Sequence, residues 1–290
     1  MPRKIYIKFR LCKFKFMKTK YRFLLIAIVL GIGACGIIDP KNKGKGFNIL
    51  PLSADKNFGV QTEKQIASDP KQYPILDPKQ YRDIYAYVNK VKNNILNSGK
   101  VDYRNDFAWK IHIIHDDNTL NAFCTPGGYI YVYTGILKFL ESEDQLAGVL
   151  AHEIGHADMR HSTRQMTTMY GLQIVLEVTQ MIALGQTTPQ INQMGLGLIN
   201  LKNSRGHETE ADQRSVLYLC GTPYNADGAA GFFEKLEKNN KGAKVPEFLS
   251  THPNPENRIE HFHNAKVGMG CIGKNTFKED YVKMLAKLPK

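Results

Sequence analysis

The chain has 290 residues, of which 39 are Lys or Arg and 27 Asp or Glu, for a formal net charge of +12. Nine of the basic residues fall within the first 35 positions with no acid among them, so the remainder carries only about +3, which argues against a protein that seeks nucleic acid. The residues after position 35 suffice for one sizeable hydrophobic core with a small appended lobe at most.

From the N-terminus, Met1 to Phe16 are basic and aromatic without periodicity and read as lying upstream of the true start at Met17. Lys18, Lys20 and Arg22 then form a basic region before the short apolar run Phe23 to Ile32. That run is too short to span a bilayer comfortably. Ile32-Gly33-Ala34-Cys35 resembles a bacterial lipobox. Residues 1–34 are therefore expected to be a lipoprotein signal peptide, Cys35 the acylated residue, and 35–52 a lipidated tether rich in Gly, Lys and Pro. An uncleaved N-terminal anchor is the alternative. Either places the rest of the chain outside the cytoplasm, in the periplasm or cell envelope of a bacterium, held to a membrane.

A helix is expected from near Ser53 to Asp69-Pro70, and another within Pro78 to Asn97, where Tyr81, Ile84, Tyr85, Val88, Val91 and Ile95 recur at helical spacing. Trp109 to His115 alternates as a strand, and Tyr129 to Tyr133 reads as a second strand after the Pro126-Gly127-Gly128 turn. Ser142 with Gln145 three residues on reads as a capping box that opens a helix with Leu146, Val149, Leu150, Ile154 and Ala157 on its apolar stripe. Leu172 to Leu184 reads as a buried or groove-lining helix, with a membrane re-entrant element as the alternative. Another helix follows Pro189, and further ones cover Glu208 to Leu219 and Ala229 to Asn239. Pro253 to Pro255 forms a rigid turn. Cys124, Cys220 and Cys271 lie outside the targeting region, at spacings that fit no cysteine zinc site; one disulfide is allowed, but nothing pairs them.

Chemistry concentrates in His152-Glu153-Ile154-Gly155-His156. On a helix the two histidines project from one face, one turn apart, and can take two corners of a tetrahedral zinc site. Glu153 falls beside the open position, where a carboxylate can take a proton from the attacking water. A catalytic zinc site needs a third protein ligand, and Glu208 is the candidate. Asp212, four residues on, shares its helical face and can accept the outer N–H of a ligand histidine. Glu210 reads as a solvated charge. His161, His112, His115, His207, His261 and His263 lack ligand spacing and read as surface or capping residues. Cys124 reads as a small buried hydrophobe.

The blocks Asn121-Ala122 with Pro126-Gly127-Gly128, Ala151 to His156, Ser204-Arg205 with Glu208 to Asp212, and Thr251-His252-Pro253 with Arg258 resemble the CAAX-prenyl-protease/HtpX-type zinc metallopeptidases. They are most similar to the compact periplasmic lipoprotein members, over about residues 53–265. The resemblance implies an α+β fold, mostly helical and zincin-like (a minigluzincin), with a small mixed sheet beside the HExxH helix and its edge strand facing the cleft. It implies a peptidase domain over 53–270 and a C-terminal tail over 271–290. It implies one Zn²⁺ per chain on His152, His156 and Glu208, with Glu153 as base and Asp212 behind the ligands. His252 and Arg258 would act at the metal or the oxyanion; a proline-held loop histidine and a structural ion pair are the alternatives.

On this reading the chain is a zinc endopeptidase of unfolded or misassembled envelope proteins, with extended polypeptides as substrates and the envelope assembly machinery as a partner. Tyr129, Ile130 and Tyr131 would bind substrate by strand addition. A chaperone-like lipoprotein with an occluded zinc site is the alternative, and a structural metal-binding module is a third reading. Cleavage of prenylated CAAX substrates is not expected, because the chain lacks the multiple spans of an intramembrane chamber.

Overall fold

The computed structural model describes residues 46–171, 173–175, 177–178, 197, 202–239, 247–253 and 257–289. The targeting segment, Cys35, most of the tether, the helix expected after Pro189 and most of Leu172 to Leu184 lie outside the described residues. None of the described helices is long and apolar enough to cross a membrane.

The N-terminal helix α1 (Leu52–Ala67) is followed by α2 (Arg82–Leu96), whose Ile84, Val88, Val91 and Ile95 are buried as their spacing predicts. Three short strands come next: β1 (Lys110–Ile114), β2 (Ala122–Thr125) and β3 (Tyr129–Tyr133). They form a mixed sheet in the order β1-β3-β2, with β1 parallel and β2 antiparallel to β3. Trp109 stands outside β1 with φ of 45°, and its indole N–H donates to the carbonyls of Tyr103 and Arg104. β2 is too short to show a legible alternation, which is why the sequence reading passes over it.

The short helix α3 (Thr134–Phe139) leads to α4 (Glu143–Asp158), which runs through the centre of the molecule with nearly every residue buried. Leu146, Val149, Leu150 and Ile154 are at most 2 % exposed, each contributing about 1.5–3 kcal/mol by burial. Small residues let other helices close on α4. A Cβ at Gly148 would stand 2.4 Å from the Ala229 backbone nitrogen. One at Gly155 would stand 3.2 Å from the Ala211 carbonyl oxygen. The expected capping box does not form. The Ser142 hydroxyl donates to Asp144 and the Gln145 side chain accepts from the Glu141 amide, while the Glu143 and Asp144 amides donate to the Thr276 carbonyl. A segment more than 130 residues away in sequence thus satisfies the helix terminus.

After α4, Arg160 in the left-handed conformation (φ 55°) turns the chain into α5 (His161–Tyr170). Beyond it, Ile174 and Val178 are helical and buried with Leu50, Ala54, Phe58 and Met166 in a small second core. α6 (Arg205–Cys220) and α7 (Gly228–Asn239) pack directly on α4. The short α8 (Glu247–Thr251), α9 (Arg258–Gly268) and α10 (Lys278–Leu285) complete the helical half. The mostly helical α+β fold with a small mixed sheet beside the HExxH helix is the one the sequence implies.

Two boundaries differ from expectation. Residues 271–290 do not trail as a tail: Tyr281 is fully buried, donates its hydroxyl to the Leu137 carbonyl at 2.7 Å, and Met284 joins the main core. At the other end, Asn48 is buried and donates to the Thr163 hydroxyl, so the packed chain begins inside the expected tether. Cys220 and Cys271 form a disulfide that links the end of α6 to this C-terminal segment, and Cys124 is free.

Candidate metal centre

Helix α4 turns His152, Glu153 and His156 toward α6, and all three are at most 6 % exposed. The Nε2 atoms of His152 and His156 lie 2.9 Å apart. On α6 the Ser204 hydroxyl caps the first turn by accepting from the His207 amide, which sets Glu208 at the helix start facing α4. Glu208 is fully buried, with Oε2 3.4 Å from His152 Nε2 and Oε1 3.3 Å from His156 Nε2. His252, just past α8, brings Nδ1 to 3.2 Å from Glu208 Oε1 and 3.3 Å from His152 Nε2. Its ring stacks on Phe248 at 4.4 Å. The donor atoms of His152, His156, Glu208 and His252 all lie within 4.8 Å of one another.

This donor set fits a cation. Three imidazole nitrogens and a carboxylate converge where they cannot all satisfy one another by hydrogen bonds, and imidazole with carboxylate is a donor set suited to zinc. The electrostatics agree. Burial opposes charge on His152, yet the Asp212 and Glu208 carboxylates outweigh it and lift the imidazole to about 9. Burial also opposes ionisation of Glu208, but the surrounding histidines hold its carboxyl well below the usual range. Burial dominates at His156, pushing it down to about 3, so that ring is neutral.

Asp212, 4 % exposed, accepts from His152 Nδ1 at 2.8 Å, as the four-residue spacing from Glu208 anticipates. Burial works against its charge, and the Arg258 guanidinium and His152 overcome it, so its carboxyl lies below the ordinary value. Arg258 faces this carboxylate and not the cleft. Its Nε and Nη2 donate to the two Asp212 oxygens at 2.7 Å each, Nη2 lies 3.3 Å from Glu208 Oε2, and the guanidinium covers the Phe233 ring. Arg258 is thus the ion-pair partner of Asp212 through its Nε–Nη2 edge, while Nη1 has no hydrogen-bond partner among the described residues.

Glu153 is 1 % exposed, and its Oε1 has no hydrogen-bond partner among the described residues. Burial raises its carboxyl above the usual range, against the partial offset of His252 and His152. A buried carboxylate with an unengaged oxygen beside a cation site is suited to taking up a proton and returning it. It lines a cleft together with His156, Phe123, Cys124, Thr125, Ser162 and Gln165.

Tyr129, Ile130 and Tyr131 are not placed to add a substrate strand. They lie on β3, the middle strand, whose peptide groups pair with β1 on one side and β2 on the other. The strand at the cleft is β2. Tyr133 donates to the Asn121 carbonyl, so by antiparallel alternation the peptide groups of Ala122 and Cys124 point away from β3. The Cys124 thiol, half-buried, bonds the Thr125 carbonyl, and burial, with the Glu153 charge, pushes its ionisation up.

Two residues read as peripheral are part of the centre's surroundings. His161 is 1 % exposed, with Nδ1 2.8 Å from His156 Nδ1 and Nε2 2.9 Å from Glu210 Oε2. Glu210 is not a solvated charge, for it also accepts from Arg164 at 2.7 Å. Helical spacing from His156 predicts the wrong face for His161, because Arg160 breaks the helix and redirects the chain. His207 stacks on His161 at 4.2 Å. His112 instead pairs with Glu63, and His263 with Asp227, away from the cluster.

The model of Peptidase family M48 matches residues 84–266. A mitochondrial metalloendopeptidase OMA1 of Schizosaccharomyces pombe is 30 % identical over 223 residues, covering 76 % of this chain and 63 % of the relative. A beta-barrel assembly-enhancing protease of Yersinia pestis is 29 % identical over 191 residues, covering 61 % and 38 %, and the metalloprotease YcaL of Escherichia coli is 27 % identical over 188 residues, covering 64 % and 70 %. The chain thus spans less than two thirds of the length of the first two. The matched span runs from α2 to α9 and takes in every donor of the buried cluster, and the chain belongs to Peptidase family M48.

Proposed function

We propose that the chain is a zinc endopeptidase of the bacterial cell envelope that cuts unfolded or misassembled polypeptides bound in extended form. The carrying observation is the unengaged Glu153 oxygen beside the converged donors of His152, His156 and Glu208. Those three residues would hold a zinc ion, which would supply Lewis acidity for the scissile carbonyl and for water. Glu153 takes the proton of the attacking water and delivers it to the leaving amine; its raised affinity for protons suits both halves of that task. Asp212 holds His152 in the tautomer that turns Nε2 inward, and Arg258 holds Asp212. The outward peptide groups of Ala122 and Cys124 offer an edge on which an extended substrate can pair, reading backbone more than side chain.

In the same reading residues 1–34 are a signal peptide, acylated Cys35 holds the protein to a membrane, and the branch of the family is the compact, non-spanning one resembling HtpX-type enzymes. The relative named for assembly of β-barrels makes that machinery the partner class to examine. The test compares the native protein with Glu153→Gln on unfolded casein, with zinc content measured in both. Native activity lost in the variant at unchanged zinc supports the reading; equal degradation by the two refutes it.

One observation favours a second reading, a latent site. His252 stands among the donor atoms of His152, His156 and Glu208 and approaches Glu153 Oε1 at 3.6 Å, where its ring would compete with substrate for a bound ion. Under it, His252→Ala raises casein cleavage by the zinc-loaded protein; a fall to the level of Glu153→Gln would assign His252 to catalysis instead.

A further inference from the structure

The two ligand histidines are backed differently. His152 Nδ1 meets a carboxylate directly, and that carboxylate meets an arginine (Asp212, Arg258). His156 Nδ1 meets another imidazole, His161, and only then a carboxylate with its arginine (Glu210, Arg164). We propose that His161 is a positioning residue of the metal centre, which with Glu210 fixes the proton pattern that turns the His156 Nε2 lone pair toward the ion.

The hydrogen-bond chemistry carries the argument. An ionised carboxylate only accepts, so Glu210 Oε2, 2.9 Å away, requires the His161 proton on Nε2. A neutral His161 then has a lone pair on Nδ1, 2.8 Å from His156 Nδ1. Two ring nitrogens at that distance share one proton, so His156 Nδ1 carries it and donates. The lone pair of His156 is left on Nε2, the atom 2.9 Å from His152 Nε2 and 3.3 Å from Glu208 Oε1. The opposite tautomer of His161 would set a lone pair against the Glu210 charge. Geometry holds the chain in place: the His161 ring is stacked within 9° of parallel on His207, and Arg164 donates to the same Glu210 oxygen.

The inference rests on the reading of the centre as a metal site, and its test separates the two. Zinc affinity of the metal-free protein is measured by competition with a chromophoric chelator for the native chain, His161→Leu, His161→Gln and Glu210→Ala, with the melting temperature of each metal-free protein recorded. A glutamine can accept at Oε1 from His156 and donate from Nε2 to Glu210, whereas leucine fills the space without either bond. His161→Leu is expected to weaken zinc binding about 10- to 100-fold, the range for outer partners of metal ligands. His161→Gln should stay within a few-fold of native, and Glu210→Ala should weaken binding several-fold. Equal affinity in the native and leucine chains, or equal losses for leucine and glutamine, overturns the inference. If His161→Leu does not fold, Glu210→Ala decides, since unchanged affinity there also overturns it. A native chain that binds no zinc overturns the metal-site reading and this inference together.

Discussion

Asp55 on α1 and Arg160 after α4 form the ion pair whose removal should be felt most in the fold. Both are at most 2 % exposed. Arg160 Nε and Nη2 donate to Asp55 Oδ2 at 3.0 and 2.7 Å, Nη2 also donates to the Leu50 carbonyl, and the Thr163 hydroxyl donates to Asp55 Oδ1. Burial lifts the Asp55 carboxyl above its ordinary value, against the charge and hydrogen bonds of this guanidinium. A buried pair of this kind is costly to break yet adds little net stability over an apolar replacement. Asp55→Ala takes the Asp55 carboxylate away from a guanidinium in a dry site and should cost about 3–5 kcal/mol. Asp55→Ala with Arg160→Met should recover most of that, leaving a deficit of about 1–2 kcal/mol for the lost bonds to Leu50 and Thr163. Urea unfolding of the metal-free protein, followed by the fluorescence of Trp109, the chain's one tryptophan and itself buried, reads both values. A single-variant loss under about 1 kcal/mol, or a double variant no more stable than the single, would refute the reasoning.

Other consequences can be checked in the same way. Gly148→Ala puts a methyl where the α7 backbone stands and should cost about 1–3 kcal/mol by overpacking; an unchanged urea midpoint would show that the helices separate freely. Removing the Cys220–Cys271 disulfide releases a loop with a sequence separation of 51, worth up to about 4 kcal/mol in chain entropy, measurable as a lower unfolding midpoint in the double serine variant. Burial opposes charge on Asp227, but its hydrogen bonds to His263 and Lys266 and their charge outweigh this and depress its carboxyl. The stability it contributes is present above the unfolded value of about 4 and is lost as pH falls through the lower folded value. Stability titrated from pH 6 downward should fall less steeply in Asp227→Asn than in the native chain, and parallel curves would count against the assignment.

The chemistry of the centre was legible in local spacing. His152, Glu153 and His156 lie within one and a half turns of one helix, and Glu208 and Asp212 one turn apart on another, so helical periodicity alone sets which atoms can converge. The α2 and α4 stripes were legible for the same reason. Non-local pairing was not. The order β1-β3-β2, which makes Tyr129–Tyr133 the middle strand, depends on which strands meet in space. The Thr276 cap of α4 and the Cys220–Cys271 bond likewise join residues with no periodic relation.

By itself, then, the sequence determined the one-turn spacing of His152 with His156 and of Glu208 with Asp212, and the helical character of the core, because each depends on neighbours a few residues apart. The tertiary structure decided the rest: that Arg258 pairs with Asp212, that β2 borders the cleft, that His252 stands among the donor atoms, and that His161 and Glu210 stand behind His156. The physical reason is the same in each case. A side chain's role is set by the groups that desolvate and face it, and Arg160, in the left-handed conformation, redirects the chain and puts His161 against His156 in a way no helical register foretells.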